Sequence, residues 1–192
     1  GKDKLTEIYI PDSVTEIGDN AFAGCTGLNS IVIPKDTTYI GMNAFSGCTS
    51  LTSIVIPEGV KELDYNTFKG CINLTSVVIP QGITTIGDRA FMECTSLTNI
   101  VVPDSVTTIG DGAFENCYDL SSIHLGESVE SIGEGAFFAC KNLESITLPA
   151  SVVEVGAYAF SGCDSLRSIQ IPEALMEVGY DAFPEDTKVI LY

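Results

Sequence analysis

A repeat of 23 residues constrains this chain more than any other feature of its sequence. Each of eight copies opens with a leucine and carries a phenylalanine at one later register, and no insertion breaks the period. The leucines are Leu5, Leu28, Leu51, Leu74, Leu97, Leu120, Leu143 and Leu166, and the phenylalanines are Phe22, Phe45, Phe68, Phe91, Phe114, Phe137, Phe160 and Phe183. Repeats of this size bury their apolar residues only by stacking on their neighbours. We therefore predict a solenoid with one continuous core, and we expect residues 1–192 to form a single domain.

One copy, 97–119 (LTNIVVPDSVTTIGDGAFENCYD), illustrates the expected coil. Apolar and polar residues alternate from Asn99, which predicts a strand. Pro103 lacks the N–H that a strand ladder needs, so the strand should end there. Val106 and Ile109 flank two threonines, which favours a short second strand or a bend. Stacked repeats should join the first strands into a parallel sheet along the whole solenoid.

The second half of the copy predicts a tight turn followed by a short helical segment. Gly110 recurs in seven of the eight repeats, and Asp64 replaces it in the third. We interpret this register as a residue with positive φ, a conformation that glycine and, less readily, aspartate adopt. Asp19, Asp88 and Asp111 follow the glycine and fit the N-cap of a helical turn that carries an Ala-Phe pair.

Seven cysteines, one in each of the first seven repeats, should lie inside the solenoid. They are Cys25, Cys48, Cys71, Cys94, Cys117, Cys140 and Cys163. Stacked coils would place successive cysteines about 5 Å apart, but parallel side chains suit the disulfide dihedral poorly. We expect buried thiols that form no disulfide and act as small apolar residues.

Charge and composition exclude several functions. Nine basic residues against 26 acidic ones give a net charge of −17, which argues against a nucleic-acid partner. No apolar run is long enough to span a membrane. The one histidine, His124, should lie outside while the cysteines lie inside, so no nucleophile and base meet. We expect no catalytic residue, cofactor or metal site, and do not expect an enzyme.

The outward side of the first strands offers the candidate binding face. At one register stand Tyr9, Val32, Val55, Val78, Val101, His124, Thr147 and Gln170. Two interpretations are open. The β-branched residues favour strand geometry and pack laterally between coils, or they form a flat surface that docks a protein.

The two ends differ. Repeat 1 has no polar cap ahead of Leu5, so we expect that further repeats or another domain preceded Gly1. In repeat 8, Asp186 replaces the cysteine, and residues 184–192 should end the solenoid with an edge strand, KVILY.

The shared string I-P-x-x-V-x-x-I-G-x-x-A-F-x-x-C resembles BspA-like leucine-rich repeats over nearly the whole chain, Leu5 to Phe183. The resemblance implies an α/β repeat solenoid: a right-handed superhelix with its parallel sheet on the concave side and short strands and helical turns elsewhere. It also implies a secreted or cell-surface protein that binds a protein, for example a host extracellular or matrix protein or a neighbouring cell. The alternative is a structural spacer without a ligand. Neither the ligand nor the oligomeric state follows from the sequence.

Overall fold

The computed structural model describes residues 4–192, so Gly1 and the expectation about what preceded it lie outside the described residues. Fifteen short strands occur in this part of the chain. In chain order they are β1 (Glu16–Ile17), β2 (Tyr39–Ile40), β3 (Ser53–Val55), β4 (Glu62–Leu63), β5 (Ser76–Val78), β6 (Thr85–Ile86), β7 (Asn99–Val101), β8 (Thr108–Ile109), β9 (Ser122–His124), β10 (Ser131–Ile132), β11 (Ser145–Thr147), β12 (Glu154–Val155), β13 (Ser168–Ile171), β14 (Glu177–Val178) and β15 (Lys188–Leu191).

The strands form two parallel rows, as expected from a solenoid of about eight coils. The first row holds β3 and the later odd-numbered strands, and the second row holds β1, β2 and the even-numbered strands from β4. Residues pair with their equivalents one repeat away, for example Ile100 with Ile123 and Ile109 with Ile132. The second row is the more continuous, because its even-numbered strands β4, β6, β8, β10, β12 and β14 form one six-stranded sheet.

The prediction of one continuous sheet from the first strands is wrong. Within residues 4–192 the first row divides into β3-β5, β7-β9 and β11-β13-β15, and repeats 1 and 2 contribute no strand to it. Each of these strands has only three or four residues, so the loss of one or two bonds is enough to end a ladder. That this row lines the concave side of a right-handed superhelix stays a prediction.

The predicted helical turns are wrong, since residues 4–192 contain no α-helix. Alternate amides of each turn bond within the coil and to the next coil. In the fifth repeat Ala113 N donates to Gly110 O at 3.3 Å, whereas Phe114 N donates to Ala136 O at 2.7 Å. An α-helix would direct both N–H groups to carbonyls four residues back. The turns therefore replace helical bonds with bonds between coils, and the α/β description does not hold.

Two residues in each of the first seven turns and one in the eighth adopt left-handed (αL) backbone, with φ between 49° and 73°. The first αL position holds Asn20, Asn43, Asn66, Arg89, Gly112, Gly135, Tyr158 and Asp181, and the second holds Gly24, Gly47, Gly70, Glu93, Asn116, Ala139 and Gly162. A right-handed helix cannot continue through such residues, which is why the turns are not helical. The expected positive φ at Gly110 and its equivalents is wrong, and Asp64 has no positive φ either.

The recurring glycine instead allows close approach between coils. A Cβ on Gly133 would lie 2.5 Å from Asp111 Oδ1 and 2.7 Å from Asp111 N. That oxygen is occupied, because Asp111 Oδ1 accepts a hydrogen bond from Glu134 N at 2.8 Å. Asp19 and Asp88 accept equivalent bonds from the next coil. These aspartates are therefore not N-caps of their own turns, and each one bonds an amide one repeat further on.

The interior consists of columns of identical side chains. Rings from Phe22 to Phe160 stack with centroids 5.1–5.4 Å apart, and Phe183 continues the stack at 5.9 Å. Such aromatic pairs contribute about 0.5–1.5 kcal/mol each beyond the apolar area that they bury. All seven cysteines are buried beside them without disulfides, as predicted. Each thiol from Cys48 onward also donates to a phenylalanine carbonyl of the preceding repeat, for example Cys117 Sγ to Phe91 O at 3.2 Å.

We predict that Gly156→Ala destabilises the solenoid whereas Gly18→Ala does not. A Cβ at Gly156 would lie 2.5 Å from Glu134 N and 2.6 Å from Gly133 C, but nothing lies within 4 Å of one at Gly18. Backbone overlap of this kind should cost about 1–3 kcal/mol or more, and the Gly18 change should stay within about 0.5 kcal/mol. Urea unfolding measures both, and equal effects would contradict the close approach.

We also predict that stability falls above about pH 8.5, where a thiol in the unfolded chain ionises. Burial raises the pKa of the Cys71, Cys94 and Cys140 thiols and raises that of Cys117 to about 12. The native state therefore keeps protons that the unfolded state releases. The resulting stabilisation is complete below the unfolded pKa and is lost as pH rises towards the folded pKa, by about 1.4 kcal/mol per pH unit and thiol.

The control for this pH dependence is Cys117→Ala. Urea unfolding under reducing conditions between pH 8.5 and 10.5 should give a slope that is shallower by about 1.4 kcal/mol per pH unit in this variant. Because the other titrating groups are common to both proteins, the difference isolates one thiol. An unchanged slope would show that Cys117 ionises as readily in the folded protein as in the unfolded chain.

Candidate protein-recognition face

The candidate face is the outward side of the first strand row. Successive residues of a strand point to opposite sides of the sheet. In β7, Ile100 is 2% exposed and belongs to the core, whereas Val101 is 60% exposed. The alternation of apolar and polar residues in the sequence thus correctly predicts which side chains of this strand face solvent.

All eight predicted residues are exposed; six of them belong to the strands of this row, and Tyr9 and Val32 stand at the same register in repeats 1 and 2, which form no strand there. Tyr9 is 80% exposed and Val32 82%, and Val55, Val78 and Val101 are 52–64% exposed; His124, Thr147 and Gln170 are also exposed. Strand pairing sets Val55 beside Val78, Val101 beside His124 and Thr147 beside Gln170. We call the five residues Tyr9, Val32, Val55, Val78 and Val101 the apolar stripe.

The row that flanks the apolar stripe is almost uncharged. Two residues before each of the eight predicted face residues stand small or polar side chains, and Glu7 is the one charged residue among them. They are Glu7, Ser30, Ser53, Ser76, Asn99, Ser122, Ser145 and Ser168. Charged side chains stand beside this row instead, where Lys35 and Glu58 line the hollow that contains Val32, Val55 and Val78. Contacts made here would depend on shape and apolar area more than on charge.

Shallow hollows lie along the face. One of about 460 Å³ is lined by Tyr9 and Val32, and a second of about 390 Å³ by Val32, Val55 and Val78. A third, of about 310 Å³, contains His124 and Thr147. Prolines that end the strands line them too, at Pro34, at Pro57 and Pro80, and at Pro149.

Tyr192 is a lining residue that the sequence interpretation missed. It lines the third hollow, and its hydroxyl donates a hydrogen bond to Leu148 O at 2.6 Å. This bond joins residues that are 44 positions apart in the sequence and holds the ring in place. Its place at the end of the predicted edge strand gave no sign of this contact. Thr147 Oγ1 donates to Gln170 Oε1 at 3.4 Å in the same region.

The groups on which nucleophilic or metal chemistry would depend are distributed as follows. His124 is exposed, whereas the cysteine thiols are buried and donate to carbonyls inside, for example Cys117 Sγ to Phe91 O, so the structure keeps the thiols away from the imidazole. Within residues 4–192, no three His, Cys, Asp or Glu side chains are grouped to hold a metal ion. In the same residues no helix has the length and apolar character that crossing a membrane requires.

Comparison with known proteins agrees with the coil geometry. The family model for the BspA type leucine rich repeat region, in six copies, matches residues 1–120 and 84–190. The protein is therefore a leucine-rich-repeat solenoid. It belongs to the BspA type, as its 23-residue motif indicated. Among functionally curated proteins, none matches the chain in sequence.

Two solved structures are similar over most of the chain. A leucine-rich repeat protein from Bacteroides ovatus ATCC 8483 is 35% identical, with a TM-score of 0.88 over 96% of this chain and 50% of its own. The leucine rich repeat protein of T. pallidum is 28% identical, with a TM-score of 0.67 over 93% of this chain and 74% of its own. The chain thus spans about half the length of the Bacteroides protein. Both belong to bacteria, and the fold is typical of protein-interaction modules.

Proposed function

We propose that this chain is a non-enzymatic protein-binding module of a secreted or cell-surface protein, and that it binds its partner through the first strand row. The observation that carries the proposal is the apolar stripe, in which five large apolar side chains are 52–82% exposed in one line. Contiguous apolar surface on a soluble protein is typical of an interaction site. Solenoids usually bind through such extended faces.

The structure of the stripe supports a partner with a flat, weakly charged surface. Val55, Val78 and Val101 are β-branched and already held by their strands, so binding would immobilise little side-chain freedom. The hollow beside Val55 and Val78 is shallow and lined mainly by isoleucine, valine and proline, together with Lys35 and Glu58. These features suit an apolar protein surface better than a highly charged ligand.

The location and the kind of partner rest on family membership. BspA-like repeats are expected on exported proteins of host-associated microbes, which makes a host extracellular or matrix protein, or a protein of a neighbouring cell, the natural class of partner.

A structural spacer is the second candidate. It is favoured by the uniformity of the face, where valine stands in four successive repeats above a row of serine and asparagine. Bonds between coils at every turn would make such a rod stiff. A spacer would tolerate charges on the apolar stripe, whereas a recognition face would not.

We predict that replacing Val55, Val78 and Val101 together with glutamate abolishes binding to any protein found in an array of extracellular and matrix proteins. Binding would bury three carboxylates without partners, and the burial of unpaired charge is costly. Affinity should fall at least about 100-fold. Surface plasmon resonance with the identified partner measures the loss.

The matched control carries the same chemistry elsewhere. Met42→Glu, Ile72→Glu and Met176→Glu also replace exposed apolar side chains, which are 42%, 42% and 76% exposed, outside the first strand row. This triple variant should bind like the unmodified protein. If the stripe variant binds normally, or both variants lose binding equally, the stripe is not the site. An array without any partner would favour the spacer.

A further inference from the structure

The apolar stripe runs along the solenoid axis and crosses the strands. Its five side chains come from five successive coils, so the distance between coils sets the distance between them. Core phenylalanines of successive coils stack with ring centroids 5.1–5.4 Å apart, and neighbouring strands of a sheet lie about 4.8 Å apart. The stripe therefore presents one large apolar side chain about every 5 Å over a length of about 20 Å.

This spacing matches an α-helix that lies along the stripe. A helix has a pitch of about 5.4 Å, so apolar residues three or four positions apart present one side chain per turn on one face. Over the length of the stripe, the helix and the coils differ by at most about 2 Å. An extended strand presents a side chain to the same side about every 6.6 Å, so it would be out of step by about 6 Å over the same distance. The stripe is therefore suited to contact a helix along its whole length.

The two flanks of the apolar stripe differ in charge. One flank is the row of serine and asparagine residues described above, in which Glu7 is the one charged residue. The other flank is the register that follows the recurring proline, and all of its residues are exposed in the five coils of the stripe. They are Asp12, Lys35, Glu58, Gln81 and Asp104. Acids therefore occupy every second coil of this flank, about 10 Å apart.

The lysine of this flank does not neutralise the acids on either side of it. Lys35 forms an ion pair with Asp36 of its own coil at 3.1 Å, and within residues 4–192 no ion pair joins it to Asp12 or Glu58. Asp12 lines the hollow of about 460 Å³ and Glu58 lines the hollow of about 390 Å³, beside the apolar residues of the stripe. This flank therefore favours cationic groups on a partner that lies along the stripe, whereas the opposite flank has no such preference.

We propose, building on the function proposed above, that the apolar stripe binds an amphipathic α-helix of the partner protein along the solenoid axis. Apolar residues on successive turns of the helix pack between the outward side chains of successive coils and enter the two hollows. Lysine or arginine residues on one flank of the helix lie beside Asp12, Glu58 and Asp104. A helix of about 15 residues is long enough to span the stripe.

The unequal flanks of the stripe also fix the direction of the bound helix. Turning the helix end for end keeps its apolar face on the stripe but exchanges its two flanks. Only one direction therefore places the cations of the helix beside the acids of the protein. A helix that carries its cations on the opposite flank binds in the opposite direction.

The probe is a designed peptide of about 15 residues, made helical with α-aminoisobutyric acid, with one leucine per turn on one face and lysines on one flank. Fluorescence anisotropy should give a Kd in the micromolar range. A rearranged peptide of the same composition, with its leucines distributed around the helix, should bind at least about tenfold more weakly, because it cannot bury them together. Equal binding of the two peptides would overturn the proposal, since charge attraction alone would then explain the binding.

A matched pair of protein variants tests the acidic flank at equal net charge. The flank variant carries Asp12→Asn, Glu58→Gln and Asp104→Asn, and it should bind the helical peptide about tenfold more weakly. The control variant removes the same charge from exposed positions of the second strand row, with Glu62→Gln, Glu154→Gln and Glu177→Gln. Its Kd should stay within about twofold of the unmodified protein, because salt screens distant charges. Equal weakening in both variants would show that the whole protein's charge attracts the peptide, and would overturn the proposal.

A paramagnetic label at the N-terminus of the peptide tests the direction of binding. With one peptide the label should broaden the amide NMR signals near Val32, at one end of the stripe. With a second peptide, whose lysines occupy the opposite flank, it should broaden those near Val101 at the other end. Broadening at the same end with both peptides would overturn the proposal.

The outcome for the helix is separate from the outcome for the proposed function. An array partner that loses binding to the glutamate variant of the stripe supports the proposed function. If the helical peptide then binds no more tightly than the rearranged peptide, the inference of a helix is overturned while the proposed function stands. If the helical peptide binds the glutamate variant as tightly as the unmodified protein, the stripe is not its site and the inference is overturned as well.

Discussion

Hydrogen bonds between successive coils, made by alternate amides of every turn, are the interaction on which this structure depends. They exist because two residues per turn are held in αL backbone, which stops a helix and directs N–H groups along the solenoid axis. Phe114 N to Ala136 O at 2.7 Å and Asn116 N to Phe138 O at 2.8 Å are typical. The turns are therefore as much a part of the parallel ladder as the strands are.

This bonding pattern fixes the distance between coils, and the interior follows from it. Phenylalanine rings can stack about 5 Å apart only if every turn repeats its register, and the thiols then reach the phenylalanine carbonyls of the preceding repeat. Gly133 and its equivalents are needed because the coils approach too closely for a Cβ. Each coil thus depends mainly on its two neighbours, as expected for solenoids. The outward residues of strands and turns carry no such constraint and can vary for recognition.

The period, the two strand positions and the outward register of Val55, Val78 and Val101 were predictable, because each depends on an alternation or a fixed spacing. The turn was not. Ala113 and Phe114 read as a helical pair, but the αL residues beside them prevent a helix, and the asparagines and glycines at those registers were the available signal. Gly110 was assigned a positive φ, whereas close approach between coils explains it, and Asp111 was assigned to its own turn, whereas its bond goes to the next coil.

Native-state amide hydrogen exchange tests the central claim most directly. The amides of Asn66, Arg89 and Gly112 donate to the next coil at 2.8–3.0 Å. If coil-to-coil bonding supports the solenoid, these turn amides should be protected to the same degree as the amides of β4, β6 and β8 in the same three repeats. The account is contradicted if these three amides exchange at the rate of an unstructured peptide while the strand amides stay protected. That result would show that the turns do not contribute to the bonding between coils.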